Sequence, residues 1–134
     1  MSLSDDITRF KRKALKNMEQ VKRASVLDLF ASVTLATPVD KGVLINNWFV
    51  GIGAGSGETT GEADPSVANA VSKIETALNA GDMLKDVYLT NNLPYAATIE
   101  FDGHSGKAPQ GMVRVNTARW DTIVKNNVRA LSNG

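Results

Sequence analysis

The sequence contains no cysteine and only one histidine, His104. Without thiols the chain can form neither a disulfide framework nor a thiolate zinc site, and it has no cysteine nucleophile. It also has no apolar run near the roughly 20 residues that span a membrane, and its first ten residues lack the basic start and apolar stretch of a secretory signal. We therefore expect a soluble protein that does not insert into a membrane.

Charge is balanced over the whole chain but not along it. The net charge is +1. Residues 1–36 contain 7 Lys or Arg and 4 Asp or Glu, whereas residues 37–134 contain 8 and 10. The overall balance argues against a dedicated polyanion binder, and the uneven placement makes one end basic and the rest mildly acidic.

A long amphipathic helix is predicted up to Ala36. Ser4, followed by Asp5 and Asp6, is typical of a helix start, and Thr37-Pro38 ends the helix because proline disfavours helical geometry in the residue before it. One stripe recurs at three- and four-residue steps: Ile7, Phe10, Ala14, Met18, Val21, Ser25 and Leu29. A helix of this length measures roughly 50 Å, more than so small a domain can cover, which favours oligomerisation.

Shorter elements follow in alternation. We predict a strand over about residues 46–52 with a helical turn before it, a helix from Asp64-Pro65 to Gly81, and a second strand around Val87 and Leu89. Two helical turns from Pro94 and a closing helix over about residues 110–131 complete the chain.

These elements predict one domain, residues 1–134, of the α+β class. A long N-terminal helix and a C-terminal helix should pack on a small, mainly antiparallel sheet. Residues 53–63 lack a periodic apolar pattern and are predicted to form a flexible loop.

The glycines of VGIGAGSGE, residues 50–58, raise the question of a phosphate-binding loop. A dinucleotide fingerprint beginning at Gly51, Gly53 or Gly55 would require glycine where Ser56, Glu58 or Thr60 stands. A Walker A loop fails too, since the Gly106-Lys107 pair is followed by Ala108. Three acids follow the glycines: Glu58, Glu62 and Asp64. We interpret the stretch as a surface loop, with no bound cofactor.

Catalysis or metal binding through histidine would have to use His104. Asp102, His104 and Ser105 are close in sequence, but a glycine-rich loop does not hold a nucleophile and a base in fixed geometry by itself. No further metal ligands stand at helical or hairpin spacing from them. The chain is therefore predicted not to be an enzyme and to carry no metal.

The basic residues of the first helix are the remaining charge feature: Arg9, Lys11, Arg12, Lys13, Lys16, Lys22 and Arg23. They can contact phosphates without sequence preference, although no aromatic residues interleave with them as a base-stacking platform requires. A nucleic-acid-binding accessory protein is thus the alternative function. A solvated face, or one that meets an acidic neighbour, is the simpler interpretation.

Two segments carry a family resemblance: ATPVDKGVLINNW, residues 36–48, and VYLTNNLPYAATIEFDGHSGKAPQGMVRVNTARW, residues 87–120. They resemble the small tail-completion, or head-tail joining, proteins that sit at the neck of long-tailed bacteriophages. The matching motif positions, with the nearby Trp48, are Thr37, Pro38, Val39, Asp40, Gly42, Asn92, Pro94, Tyr95, Ala96, Glu100, Ser105, Ala108, Pro109 and Gly111.

The resemblance implies a non-enzymatic virion component that is assembled in the host bacterial cytoplasm. It implies a ring with sixfold symmetry that contacts tail-tube and head-connector or stopper proteins and meets DNA only as DNA passes through. The candidate interface pairs basic Arg9, Arg12, Lys13 and Lys16 with acidic Glu58, Glu62 and Asp64. The motif residues are expected to be scaffold: Asp40 accepts backbone hydrogen bonds, Gly42 adopts a positive φ, and Tyr95 and Trp120 hold the terminal segments on the sheet.

Overall fold

The computed structural model describes residues 2–102, 106, 108 and 110–133. In chain order the elements are α1 (Leu3–Ala36), a 3₁₀ turn (Ile45–Asn47), β1 (Phe49–Ile52), α2 (Val67–Ala80), β2 (Val87–Thr90), α3 (Pro94–Asp102), α4 (Arg114–Thr117) and α5 (Trp120–Asn133). The two strands pair antiparallel, from Phe49 opposite Thr90 to Ile52 opposite Val87. The predicted α+β class, with a long first helix and a C-terminal helix, is confirmed.

Helix α1 begins two residues earlier than predicted. The cap is Ser2, not Ser4: the Ser2 hydroxyl accepts a hydrogen bond from the Asp5 N–H at 3.2 Å, and the Asp5 carboxylate accepts one from the Ser2 N–H at 3.4 Å. This reciprocal pair is a capping box, which satisfies two of the free N–H groups of the first turn. The helix ends at Ala36, as the Thr37-Pro38 pair predicts.

The two halves of α1 have different surroundings. Residues 2–13 are all exposed, whereas Ser25, Val26, Phe30, Val33 and Thr34 are buried. The second half packs against α2 and α5 and contributes to a core that includes Trp48, Ile74, Leu78 and Met112. The first half therefore extends beyond the body of the domain.

Helix α2, in contrast, starts later than predicted. Its cap is Ser66, whose hydroxyl accepts a hydrogen bond from the Asn69 N–H at 3.1 Å. Asp64 precedes the helix and accepts from the Ser66 N–H and the Asn69 amide, both at 2.9 Å. At the other end Gly81 is not left-handed, since its φ is −88°. Arg23 of α1 donates instead to the carbonyls of Leu78 and Gly81, both at 3.3 Å.

The closing helix is broken rather than continuous. Residues 118 and 119 form a turn between α4 and α5. The Asn116 amide donates to the Ser32 carbonyl at 3.3 Å, and the Asn127 amide donates to the Asp28 carboxylate at 2.9 Å. Both asparagines tie the C-terminal segment to α1. Within the described part of the chain, no helix has the length and apolar character needed to cross a membrane.

Candidate functional site

Thr37 is the anchor of the turn that follows α1. Its hydroxyl donates to the Val33 carbonyl at 2.8 Å and accepts a hydrogen bond from the indole N–H of Trp48 at 2.9 Å. Trp48 is 4% exposed and belongs to the core. A single hydroxyl thus fixes the helix end against the segment that leads into β1.

Gly42 has the positive φ that its place in the turn predicts, +91°. A Cβ at this position would overlap the backbone of Asp64 and Pro65, so the turn lies directly against the segment before α2. The predicted role of Asp40 is wrong within the described residues: its carboxylate is exposed and no described N–H donates to it.

A groove joins the two segments that carry the family resemblance. It has a volume of about 670 Å³ and is lined by residues 38–44 together with Tyr95, Ile99 and Gly106. The Asn91 amide donates to the Leu44 carbonyl at 3.0 Å, which holds the end of β2 beside the turn. We call this the motif groove. Tyr95 borders it with 44% of its surface exposed, so Tyr95 does not lock a segment onto the sheet as predicted. Trp120, in contrast, packs against the core.

Glu100 fills a role that sequence reasoning did not assign. Its buried carboxylate accepts hydrogen bonds from the backbone N–H groups of Met112, Val113 and Arg114 at 2.6, 2.7 and 3.0 Å. Arg114 also donates from Nε to this carboxylate at 3.0 Å. Burial acts to raise the pKa of Glu100, but the backbone and Arg114 hydrogen bonds outweigh it and hold the pKa below its usual value. Glu100 is therefore an ionised cap for the start of α4.

Among the other members of the second segment, Gly111 lies against this cap and two alanines are buried in the core. Ala96 and Ala108 are buried, and Pro94 begins α3 as predicted. Gly111 has a φ of +88°, and a Cβ there would overlap Glu100. His104, Ser105 and Pro109 lie outside the described residues, so their predicted roles stay predictions.

The glycine-rich segment has no regular secondary structure, as predicted, but side chains of the body hold it. Asn92 donates to the carbonyls of Ser56 and Glu58 at 2.8 and 3.2 Å. The buried Asn47 amide both donates to and accepts from the Thr60 backbone at 2.9 Å. Backbone groups of the segment are thus occupied by asparagine side chains.

The predicted acidic residues Glu58, Glu62 and Asp64 lie along this segment, and we call them the acidic patch. Lys73 is near it: its ammonium group donates to the Asn46 carbonyl at 2.8 Å and lies 4.2 Å from the centre of the Phe49 ring. Burial lowers the pKa of Lys73, while the charges of Glu58 and Glu62 act to raise it. Hydrogen bonds from Asn69 and Ser66 lower the pKa of Asp64.

The predicted basic residues divide into two groups. Arg9, Lys11, Arg12, Lys13 and Lys16 are exposed on the protruding half of α1. We call the four that belong to the predicted interface, Arg9, Arg12, Lys13 and Lys16, the basic face. Lys22 and Arg23 contact the body instead, where Lys22 donates to the Lys85 carbonyl at 2.7 Å and Arg23 caps α2. Lys22 and Arg23 lie outside the predicted interface, and the sequence pattern alone could not show that they contact the body.

The contacts described at these sites are hydrogen bonds, an ion pair and close packing. Among the described residues there is no group of three or more Asp, Glu, His or Cys side chains that could hold a metal ion. Comparisons with protein-family models, with curated proteins and with solved structures give no match to this chain.

Proposed function

We propose that this protein is a structural component of a bacteriophage or prophage virion that completes the tail or joins it to the head, and that it acts as an oligomeric ring. Its partners would be further copies of itself, the tail tube and the head connector or stopper. In this role the chain has no catalytic residues, and DNA contacts it only on passing through the ring.

The observation that carries the proposal is the convergence of the two family-like segments. They are separated by residues 49–86 in sequence, yet residues 38–44 and Tyr95 line one groove, and the Asn91 amide donates to the Leu44 carbonyl. Motif residues with no catalytic chemistry thus build a single surface on a rigid frame. Rigid frames with exposed grooves and loops are suited to binding partners.

The charge distribution supports self-assembly. The basic face extends from the body on α1, and the acidic patch lies on the body, so one copy presents two surfaces of opposite sign. A contact between unlike surfaces of neighbouring copies is heterologous, and it closes into a ring when the rotation between copies is a simple fraction of a turn.

Deletion of the gene from the phage or prophage genome tests the role. We expect filled heads and unattached tails in electron micrographs, and joined particles after the gene is supplied in trans. A normal yield of joined, infectious particles without the gene would contradict the proposal.

The exposed row of cations on α1 favours one second candidate, a nucleic-acid-binding accessory protein. Such a protein would bind duplex DNA with an affinity that falls steeply with salt concentration, since each phosphate contact releases counterions. A gel shift at low salt tests it, with Arg12→Gln and Lys16→Gln as the weakened variant. No shift at low salt would eliminate this candidate.

A further inference from the structure

The protruding half of α1 has an apolar side as well as a basic one. We call residues 3–17 the arm, and Leu3, Ile7, Phe10 and Ala14 the apolar stripe. Successive members of the stripe are four, three and four residues apart, the spacing of a two-helix seam. Leu3 is 75% exposed and Phe10 is 74% exposed. Such a row of large apolar side chains on a soluble helix marks an interaction surface.

The same side of α1 is already covered further along the helix. At about 100° per residue, Val21, Ser25 and Ser32 fall in line with the stripe. Asn127 of α5 donates to the Ser25 hydroxyl at 3.2 Å, and Asn116 donates to the Ser32 carbonyl. Residue numbers therefore rise along the C-terminal segment as they fall along α1, and α5 runs antiparallel to α1 on the side that carries the stripe.

Helix α5 covers this side of α1 only as far as the arm. Helix α5 ends at Asn133. Near that end, Met18 and Val21 of α1 and Val128 and Leu131 of α5 line an apolar groove of about 440 Å³. Met18 and Val128 are 68% and 46% exposed. The apolar stripe is thus the uncovered continuation of the α1–α5 contact.

We propose that the arm of a second copy of this chain covers the stripe, so that two arms pair antiparallel about a twofold axis. The path of α5 selects this direction. In a parallel pair, the second copy's α1 would continue into the space that α5 occupies beside Ser25. In an antiparallel pair, the second arm begins where α5 of the first copy ends. The body of the second copy then lies on the far side of the arm pair, away from the body of the first copy.

Charge complementarity supports the same pairing. Asp6 and Lys13 are seven residues apart, two helical turns, so they lie on the same flank of the stripe. In an antiparallel pair of identical helices, this flank of one helix faces the same flank of the other. Asp6 of each copy then faces Lys13 of the other, which gives two symmetric ion pairs. With Ile7 opposite Phe10 of the second copy, Leu3 lies opposite its Ala14.

Arg12 and Lys16 of the basic face remain available in this arrangement. Arg12 and Lys16 lie roughly 160° around the helix from the stripe, so they point away from the second arm. The arm pair therefore does not depend on the proposed contact with the acidic patch or on the virion role. High salt distinguishes the two contacts experimentally. At about 0.5 M salt the screening length is roughly 4 Å, so the contact between the basic face and the acidic patch is weakened while the apolar contact between the arms persists.

Sedimentation equilibrium of the full chain at high salt is the first test. We expect a concentration-dependent dimer whose dissociation constant rises at least about tenfold in Phe10→Gln and in Ile7→Gln. Leu84→Gln is the matched control, since Leu84 is 61% exposed on the body and should leave the dimer unchanged. A wild-type chain that stays monomeric at high salt and high concentration would overturn the proposal.

Engineered cysteines test the direction of pairing, because the chain has no thiol of its own. Leu3→Cys and Ala14→Cys proteins, one with a size tag, are oxidised in air separately and as a mixture. Antiparallel arms predict a disulfide-linked dimer mainly in the mixture, because two copies of Cys at position 3 would be roughly 16 Å apart along the axis. Linked dimers in each separate sample, without mixed product, would indicate parallel arms and overturn the inference.

Discussion

The side chain of Arg114 contacts Glu100 twice. The Arg114 guanidinium donates to the Glu100 carboxylate at 3.0 Å and to the Glu100 carbonyl at 2.6 Å. The two ends of this pair differ in exposure: the Glu100 side chain is 8% exposed and the Arg114 side chain 54%. The carboxylate also holds three backbone N–H groups, so its removal leaves buried donors without a partner.

Glu100→Gln should lower the free energy of unfolding at neutral pH by about 2–3 kcal/mol, since hydrogen bonds to an ionised group are lost at a buried site. The pKa of Glu100 is lower in the folded chain than in the unfolded chain. Its contribution is therefore present above the usual carboxyl pKa and is lost as pH falls through the folded-state pKa. Urea unfolding of both proteins from neutral to acid pH measures this: the difference should shrink toward low pH.

Two controls separate the cap from the ion pair. Arg114→Ala should cost less than Glu100→Gln, at most about 1 kcal/mol from the ion pair, because a half-exposed pair is screened by solvent. Glu75→Gln removes an exposed carboxylate and should change little. A pH-independent gap between wild type and Glu100→Gln would show that the charge of Glu100 does not stabilise the fold.

Gly42→Ala should destabilise the fold by at least about 1–3 kcal/mol, because alanine at a φ of +91° is strained and its Cβ would overlap the Asp64 backbone. Gly57→Ala is the matched control: a Cβ there would have no atom within 4 Å. Thermal unfolding of both variants checks the comparison. Equal melting temperatures for the two variants would mean that the turn is not held against residues 64 and 65.

Asn47→Ala should lower the free energy of unfolding by about 1–3 kcal/mol, because the Thr60 backbone and the Val43 carbonyl lose their partner. Asn46→Ala is the control, since its amide makes only long contacts to Glu62, at 3.4 and 3.5 Å. Urea unfolding compares them. The same contacts predict that deletion of residues 54–61 lowers the stability of the fold, although the sequence predicts only a flexible loop there. If Asn47→Ala is as stable as the wild type, the contacts of Asn47 with this loop do not stabilise the fold.

The local sequence pattern predicts the helices and strands of this fold better than it predicts the residues at which they begin and end. The three-and-four spacing on α1 and the proline after Thr37 were sufficient to place the long helix. Ser4 and Asp64-Pro65 are predicted as caps because they have suitable residue types. The structure uses Ser2 and Ser66, whose hydroxyls reach an N–H three residues later. Which of two nearby candidates caps a helix depends on the backbone conformation of the residues that precede the helix.

The long-range polar contacts could not be predicted from spacing. Glu100 and the α4 backbone are 12 to 14 residues apart, and Arg23 meets Leu78 across 55 residues. Only the packing of α1 against α2 and the path of the chain after α3 bring them together. The motif positions did mark Glu100 and Gly111 in advance, but as members of a pattern and without their mutual contact.

Charge reversal on the arm tests the proposed heterologous contact. Arg12→Glu with Lys16→Glu should weaken self-association at low salt, because both residues lie on the basic face and point away from the apolar stripe. Lys125→Glu reverses one exposed charge on α5 and is the control for altered net charge. Light scattering at low and high salt measures the assembly. Identical masses for wild type and the reversed variant at low salt would exclude the pairing of the basic face with the acidic patch.

Reconstitution with purified components tests the central claim most directly. Tails and filled heads from a phage or prophage that lacks this gene are mixed with the purified protein, and joined particles are counted by electron microscopy. We predict that the wild-type protein restores joining, that the variant with Arg12→Glu and Lys16→Glu does not, and that the restored neck carries a ring of this chain. Heads and tails that join equally well without the protein would contradict the account.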